Sequence, residues 1–157
     1  VRRNTSSVRA IGINHVSISA ADLAESTNFY EEVFGMERLP SPTFPDPVQW
    51  LRLGDLQLHL FLDGETPPAR HHIGITIDDF DAAYQAVKAR ASDQFGWRLV
   101  ELPSRQVQLY FRDPAGNLIE LNFRDADELD RSRYPELQRL ADHVPQRPES
   151  LGAALFI

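Results

Sequence analysis

The chain contains no cysteine, which excludes disulfides, zinc ribbons and thiol nucleophiles. Any metal must therefore be held by His, Asp, Glu or amide oxygen. No apolar run approaches the ~20 residues of a membrane span. Basic residues are the minority: 16 Lys and Arg stand against 23 Asp and Glu, for a formal net charge of −7. That balance argues against nucleic acid or an anionic membrane surface as a partner. The segment Val1 to Ser7 is polar and lacks the apolar h-region of a signal peptide. A cytoplasmic protein is the expectation.

The 157 residues suffice for one domain with a real core, and they repeat a pattern. The run from His15 reads His-Val-Ser-Ile-Ser-Ala-Ala-Asp-Leu, and that from His72 reads His-Ile-Gly-Ile-Thr-Ile-Asp-Asp-Phe. His15 pairs with His72, Ile18 with Ile75, Ser19 with Thr76 and Asp22 with Asp79, without gaps. Each copy opens with a strand of period two, followed by an Asp where a helix N-cap belongs. Phe29, Tyr30, Val33 and Phe34 then form one helical stripe, and Phe80, Ala83, Tyr84 and Val87 form another. Gly35 ends the first helix as a C′ glycine; the second fades around Ala91 to Asp93.

Three strand-like stretches follow each helix: Glu37–Leu39, Val48–Leu53 and Leu56–Leu62, then Trp97–Leu102, Val107–Arg112 and Leu118–Phe123. Gly54-Asp55 marks a tight hairpin, and Asp113-Pro114-Ala115-Gly116-Asn117 a turn. The predicted fold is α+β, with two tandem βαβββ modules (10–64 and 71–124) in one domain, 10–124. A C-terminal helical extension occupies 125–157, with a helix from Pro135 to about His143. The apolar end, Leu151 to Ile157, is expected to dock on the body or on a partner chain.

Alternate residues of a strand face opposite sides of its sheet. Val16, Ile18, Ile73, Ile75, Ile119, Leu121 and the even-numbered leucines 56–62 form an apolar face. His15, Gln57, His59, His72, Tyr110 and Glu120 fall on the other. A merely solvated face would be rich in Lys and Glu. This one carries His, Gln, Ser, Thr, Tyr and a single Glu, the composition of a cavity lining. Two His and a carboxylate suit a divalent first-row metal with open coordination positions. Trp50 and Phe61 have the parity to add an apolar wall; His71 has the wrong parity.

The paired modules, the histidines opening them and the run Tyr110-Phe-Arg-Asp-Pro-Ala-Gly-Asn-Leu-Ile-Glu-Leu121 resemble the vicinal oxygen chelate superfamily. This group includes glyoxalases, fosfomycin-resistance proteins, methylmalonyl-CoA epimerases, extradiol dioxygenases and bleomycin-resistance proteins. The resemblance implies a cupped, partly closed mixed sheet around a divalent metal (Zn, Ni, Mn, Fe or Co), a small-molecule substrate and a homodimer. Carried over, the metal ligands are His15, His72 and Glu120. The fourth position falls on His59 or Gln57. Aligning Gln57–Leu60 with Leu118–Leu121 sets His59 opposite Glu120 with one inserted residue, whereas anchoring on Gly54 and Gly116 sets Leu58 there. His59 is the expected fourth ligand.

The implied activity is metal-dependent lyase or isomerase chemistry of the glyoxalase type, in which an enolate or alkoxide is stabilised. Glu120 and Tyr110 are the candidates to move the proton. An extradiol-type dioxygenase is the alternative, weakened because no His lies shortly upstream of Tyr110. A metal-free, ligand-sequestering resistance protein is the other, opposed by the intact triad.

Overall fold

The computed structural model describes residues 12–90, 98–148 and 151–155. The predicted start of the domain at 10, the fading of the second helix at Ala91–Asp93, the strand position Trp97 and the final Phe156-Ile157 lie outside the described residues.

The first module runs β1 (His15–Ala20), α1 (Leu23–Phe34), β2 (Arg38–Leu39), β3 (Val48–Leu53) and β4 (Leu56–Leu62). The second runs β5 (His72–Thr76), α2 (Phe80–Arg90), β6 (Arg98–Glu101), β7 (Val107–Arg112) and β8 (Leu118–Phe123). Each module keeps its own open sheet, in the order β1-β4-β3-β2 and β5-β8-β7-β6, and in each the first and last strands of the module pair in parallel. The α+β tandem architecture is as expected from the repeat.

Both helices begin on the aspartates the sequence marked. Asp22 accepts from the Glu25 N–H at 2.8 Å and Asp79 from the Ala82 N–H at 3.0 Å. Gly35, at φ 62°, closes α1 in the left-handed conformation that glycine adopts without strain. The helices cover the apolar sheet faces: Leu51, Leu58, Leu60, Leu109, Phe111, Ile119 and Leu121 are wholly buried. The modules share this core, since Phe29 and Phe34 of α1 reach Phe111 of β7.

The Asp113–Asn117 turn ties the modules together. Asp113 is fully buried; its Oδ1 accepts from the Ala115 and Asn117 N–H groups, and its Oδ2 from Tyr30 O–H and Asn117 Nδ2, both at 2.8 Å. Asn117 Nδ2 also donates to the Ser19 carbonyl of β1 at 2.8 Å. Burial raises the Asp113 pKa, and these hydrogen bonds oppose the rise.

The extension differs from the predicted helix over Pro135–His143. Two 3-10 turns, Ala126–Glu128 and Arg131–Arg133, precede a two-residue strand β9 (Gln138–Arg139) and a four-residue helix α3 (Leu140–His143). β6 would otherwise be an unpaired edge, and β9 satisfies its backbone by pairing with it in parallel. That pairing consumes residues a helix would have needed.

Candidate metal centre

The strand register decides what the sequence alignment left open. Gly74 pairs with Glu120 across β5 and β8, and Ser17 with His59 across β1 and β4. His59 is therefore the first-module equivalent of Glu120. By the same register Trp50, beside His59, corresponds to Tyr110, beside Glu120.

In the second module His72 and Glu120 meet. His72 Nε2 lies 3.3 Å from Glu120 Oε2. The other polar atom of each is held back from that gap. His72 Nδ1–H donates to the Arg70 carbonyl at 3.0 Å, and Gln108 Nε2 donates to Glu120 Oε1 at 2.8 Å. An acceptor at Nδ1 fixes the tautomer in which Nε2 carries the lone pair. Two lone pairs thus face one another across the gap, an arrangement that requires a proton or a cation between them. Gly74 makes room for it: a Cβ there would stand 3.3 Å from Asn122 Nδ2 and 3.8 Å from Glu120 Oε1.

Tyr110 completes this group. Its O–H donates to Gln108 Oε1 at 3.1 Å, so Tyr110, Gln108 and Glu120 form a chain. Burial, and then the neighbouring Glu120 carboxylate, raise the Tyr110 pKa; Arg98 opposes this only in part. Tyr110 remains a neutral phenol, a hydrogen-bond donor rather than a base. Gln108 is a site residue that the sequence reading did not single out, although its place two positions before Tyr110 gives it the same face.

In the first module His15 and His59 meet instead. The rings of Trp50, His59 and His15 form a stack, with centroids 4.1 Å and 4.3 Å apart and interplanar angles of 3° and 14°. His15 Nδ1–H donates to Asn14 Oδ1, leaving its Nε2 available as in His72. His59 Nε2–H donates to Gln57 Oε1 at 2.9 Å and is thereby occupied. Burial, and then His15, lower the His59 pKa.

The four expected ligands lie in two pairs, His72 beside Glu120 on one sheet and His15 beside His59 on the other. Among the described residues, no three His, Asp or Glu side chains are close enough to hold a metal. Each module's first and last strands hydrogen-bond with one another. His71 is exposed in the linker, as expected, and Phe61 packs on Phe44 at 5.8 Å.

Two tandem βαβββ modules, each opened by a His, have the fold of the glyoxalase class. The family model for the Glyoxalase/Bleomycin resistance protein/Dioxygenase superfamily matches residues 12–121, and the chain belongs to that superfamily. It is 27% identical over 118 residues to the metallothiol transferase FosB of Shouchella clausii, covering 71% of this chain and 79% of that protein. It is also 27% identical over 93 residues to the mitochondrial methylmalonyl-CoA epimerase of Mus musculus, covering 50% and 52%; the chain spans about half of that protein. Among solved structures, a glyoxalase family protein from Bacillus anthracis superposes with a TM-score of 0.62 at 24% identity, covering 76% of this chain and 99% of that one. The fosfomycin resistance protein FosX of Listeria monocytogenes, solved with Mn(II) and a dihydroxypropylphosphonic acid, shares the fold at a TM-score of 0.64 and 16% identity, covering 76% and 97%. No described helix is long and apolar enough to cross a membrane.

Proposed function

We propose that the protein is a divalent-metal-dependent enzyme of the glyoxalase type that works as a homodimer. His72 and Glu120 of one copy and His15 of the partner subunit hold each ion. The observation that carries this reading is the facing pair, His72 Nε2 and Glu120 Oε2, with each side chain's other polar atom tied back. The donor set fits the ion: two neutral imidazoles and one carboxylate suit first-row divalent metals. His15 presents Nε2 in the same way on the other sheet, and in this reading the partner subunit's His15 completes the set. His59, its Nε2 occupied by Gln57, supports His15 by stacking. A metallothiol transferase and an epimerase among the relatives support an enzymatic role.

The bound metal would supply Lewis-acid stabilisation of a substrate oxygen that gains negative charge. The chain's own residues do the rest. Glu120, steadied through Oε1 by Gln108, would hold the ion through Oε2 and would take a proton there only once that oxygen has left the ion. Tyr110, kept neutral, donates its hydrogen bond to Gln108 Oε1 and so fixes the amide that steadies Glu120. In this reading the reaction is small-molecule lyase or isomerase chemistry.

Complementation tests the split site. Neither His15→Ala nor His72→Ala alone should bind Mn2+ tightly in titration calorimetry. Unfolded and refolded together, the two variants form mixed dimers with one intact site each, and about a quarter of the wild-type sites should return. A mixture that binds no more than its parts would sink the shared site. A His72→Ala protein with undiminished Mn2+ affinity would sink the metal centre itself.

A further inference from the structure

The superfamily match ends at residue 121, and the extension beyond it is fastened to the second module at several points. Tyr134 is buried edge-on against Phe80 and Tyr84, with centroids 5.1 and 4.9 Å away, and its O–H donates to Asp81 at 3.1 Å. Glu101, itself buried, receives both Arg131 and Arg139. β9 then follows the β6 edge, with Val100 opposite Gln138. The chain passes in this way from the helix side of the sheet, around its edge, to the concave side.

It arrives beside the candidate metal centre. Leu140, the first residue after β9, lines a groove of about 590 Å3 together with His72, Tyr110, Gln108, Val100 and Leu118. Arg70 and Arg98 stand at the same groove. Further along, Leu155 and the Gln106 side chain bond reciprocally: Leu155 N–H donates to Gln106 Oε1 at 2.8 Å, and Gln106 Nε2 donates to the Leu155 carbonyl at 3.1 Å. Gln106 continues the β7 row of Gln108 and Tyr110, so the tail borders the concave face at a second place.

We propose that the C-terminal extension forms the apolar wall of the substrate groove, and that Leu140 sets the size of the apolar group accepted beside the oxygen-chelating head. This rests on the metal centre proposed above. The groove joins two chemistries. His72, Tyr110, Gln108, Arg70 and Arg98 offer polar and charged groups to oxygen atoms, whereas Leu140, Leu118 and Val100 offer a surface that gains only from burying hydrocarbon. The groove therefore suits a small molecule with metal-binding oxygen at one end and a short apolar chain or ring at the other.

Straight-chain alkyl hydroxamates are suitable probes, because their two oxygens chelate a metal and their tails can be lengthened stepwise. In the full-length Zn2+-loaded protein, affinity should rise from acetohydroxamate to hexanohydroxamate, and the longer probe should shift the Leu140 methyl resonances. Leu140→Trp should weaken hexanohydroxamate about tenfold while leaving acetohydroxamate unchanged, and Leu140→Ala should move the preference to longer tails. Identical length profiles in all three proteins, with metal still bound, would overturn the wall and leave the metal centre standing. Failure to bind Zn2+ would instead count against the metal centre. The wall is then decided in the metal-free protein by whether hexanohydroxamate, at high concentration, still shifts the Leu140 methyls; no shift overturns it.

Discussion

In the first module Trp50, His59 and Ser17 lie side by side across three strands; in the second, Tyr110, Glu120 and Gly74 occupy the same places. The backbones agree and the chemistry does not. The first module fills these positions with stacked rings that hold His15 at an exposed edge. The second places a phenol, a carboxylate and a glycine there, with the Gln108 amide linking phenol to carboxylate and one carboxylate oxygen facing His72. In the proposed reading the two halves would have separate tasks: one would present a single imidazole on an aromatic backing, and the other would supply two ligands and the proton chemistry.

The sharpest way to break this comparison is to mutate equivalent positions. His72→Ala or Glu120→Gln should weaken Mn2+ binding by more than about 100-fold, since each removes a direct ligand. His59→Ala should weaken it about tenfold, and His59→Phe, which keeps a flat ring between Trp50 and His15, by less than about threefold. Titration calorimetry on the four proteins decides the matter. If His59→Phe matched Glu120→Gln, His59 would be a ligand and the modules would be chemical equals after all.

The two hairpin turns offer a second contrast. Asp55, in the two-residue turn of the first module, is exposed, whereas Asp113 is buried beneath four hydrogen bonds, one of them from α1. Asp113→Ala should cost about 2–3 kcal/mol of stability by stranding the Tyr30 hydroxyl and the Asn117 groups. Asp55→Ala should change stability by less than about 0.5 kcal/mol. Urea unfolding of both proteins measures the difference, and equal losses would show that the turn does not clamp the modules together.

Gly74 tests the space between the ligands. A valine there would press on Asn122 and Glu120 from the opposing strand, so Gly74→Val should lower Mn2+ affinity about tenfold while the protein remains folded by circular dichroism. Undiminished affinity would mean that the gap between His72 and Glu120 tolerates a side chain.

Much of this was legible in the sequence because it is local. The caps Asp22 and Asp79 and the period-two faces each need only a few neighbouring residues to read, and the strands Val48–Leu53, Leu56–Leu62, Val107–Arg112 and Leu118–Phe123 fall where the pattern predicts. Parity placed His15, His59, His72, Tyr110 and Glu120 on one type of face, but it carries no information about which strands become neighbours. The grouping of His15 with His59 and of His72 with Glu120 follows from β1 pairing with β4 and β5 with β8, a long-range choice. Gln108 escaped for the same reason: its bond to Glu120 depends on the β7–β8 register, which sets Gln108 opposite Asn122 and diagonal to the ligand. The helix predicted over Pro135–His143 is cut short by a need of the β6 edge for a partner that lies 38 residues upstream of β9, from Val100 to Gln138.

The tyrosines give the last and mildest test, because all four respond in the same direction wherever they lie. Tyr30 and Tyr84 are raised above the ordinary value of 10.0, Tyr134 is pushed up to about 12, and Tyr110 is also raised; burial is the leading cause in each case. Below pH 10 the phenols are neutral in both folded and unfolded chains, and their contribution to stability is fully present. Above it the unfolded chain releases protons that the native protein retains, so stability falls as pH rises through the native values. Phenolate absorbance should therefore appear together with loss of far-ultraviolet circular dichroism, not before it. Tyr30→Phe should remove about a quarter of that absorbance step and, by unpairing Asp113, about 1 kcal/mol of stability at neutral pH. If the full phenolate signal developed while the protein remained folded, the phenols would lie open to water, and the Tyr30–Asp113 link between the modules would not hold in solution.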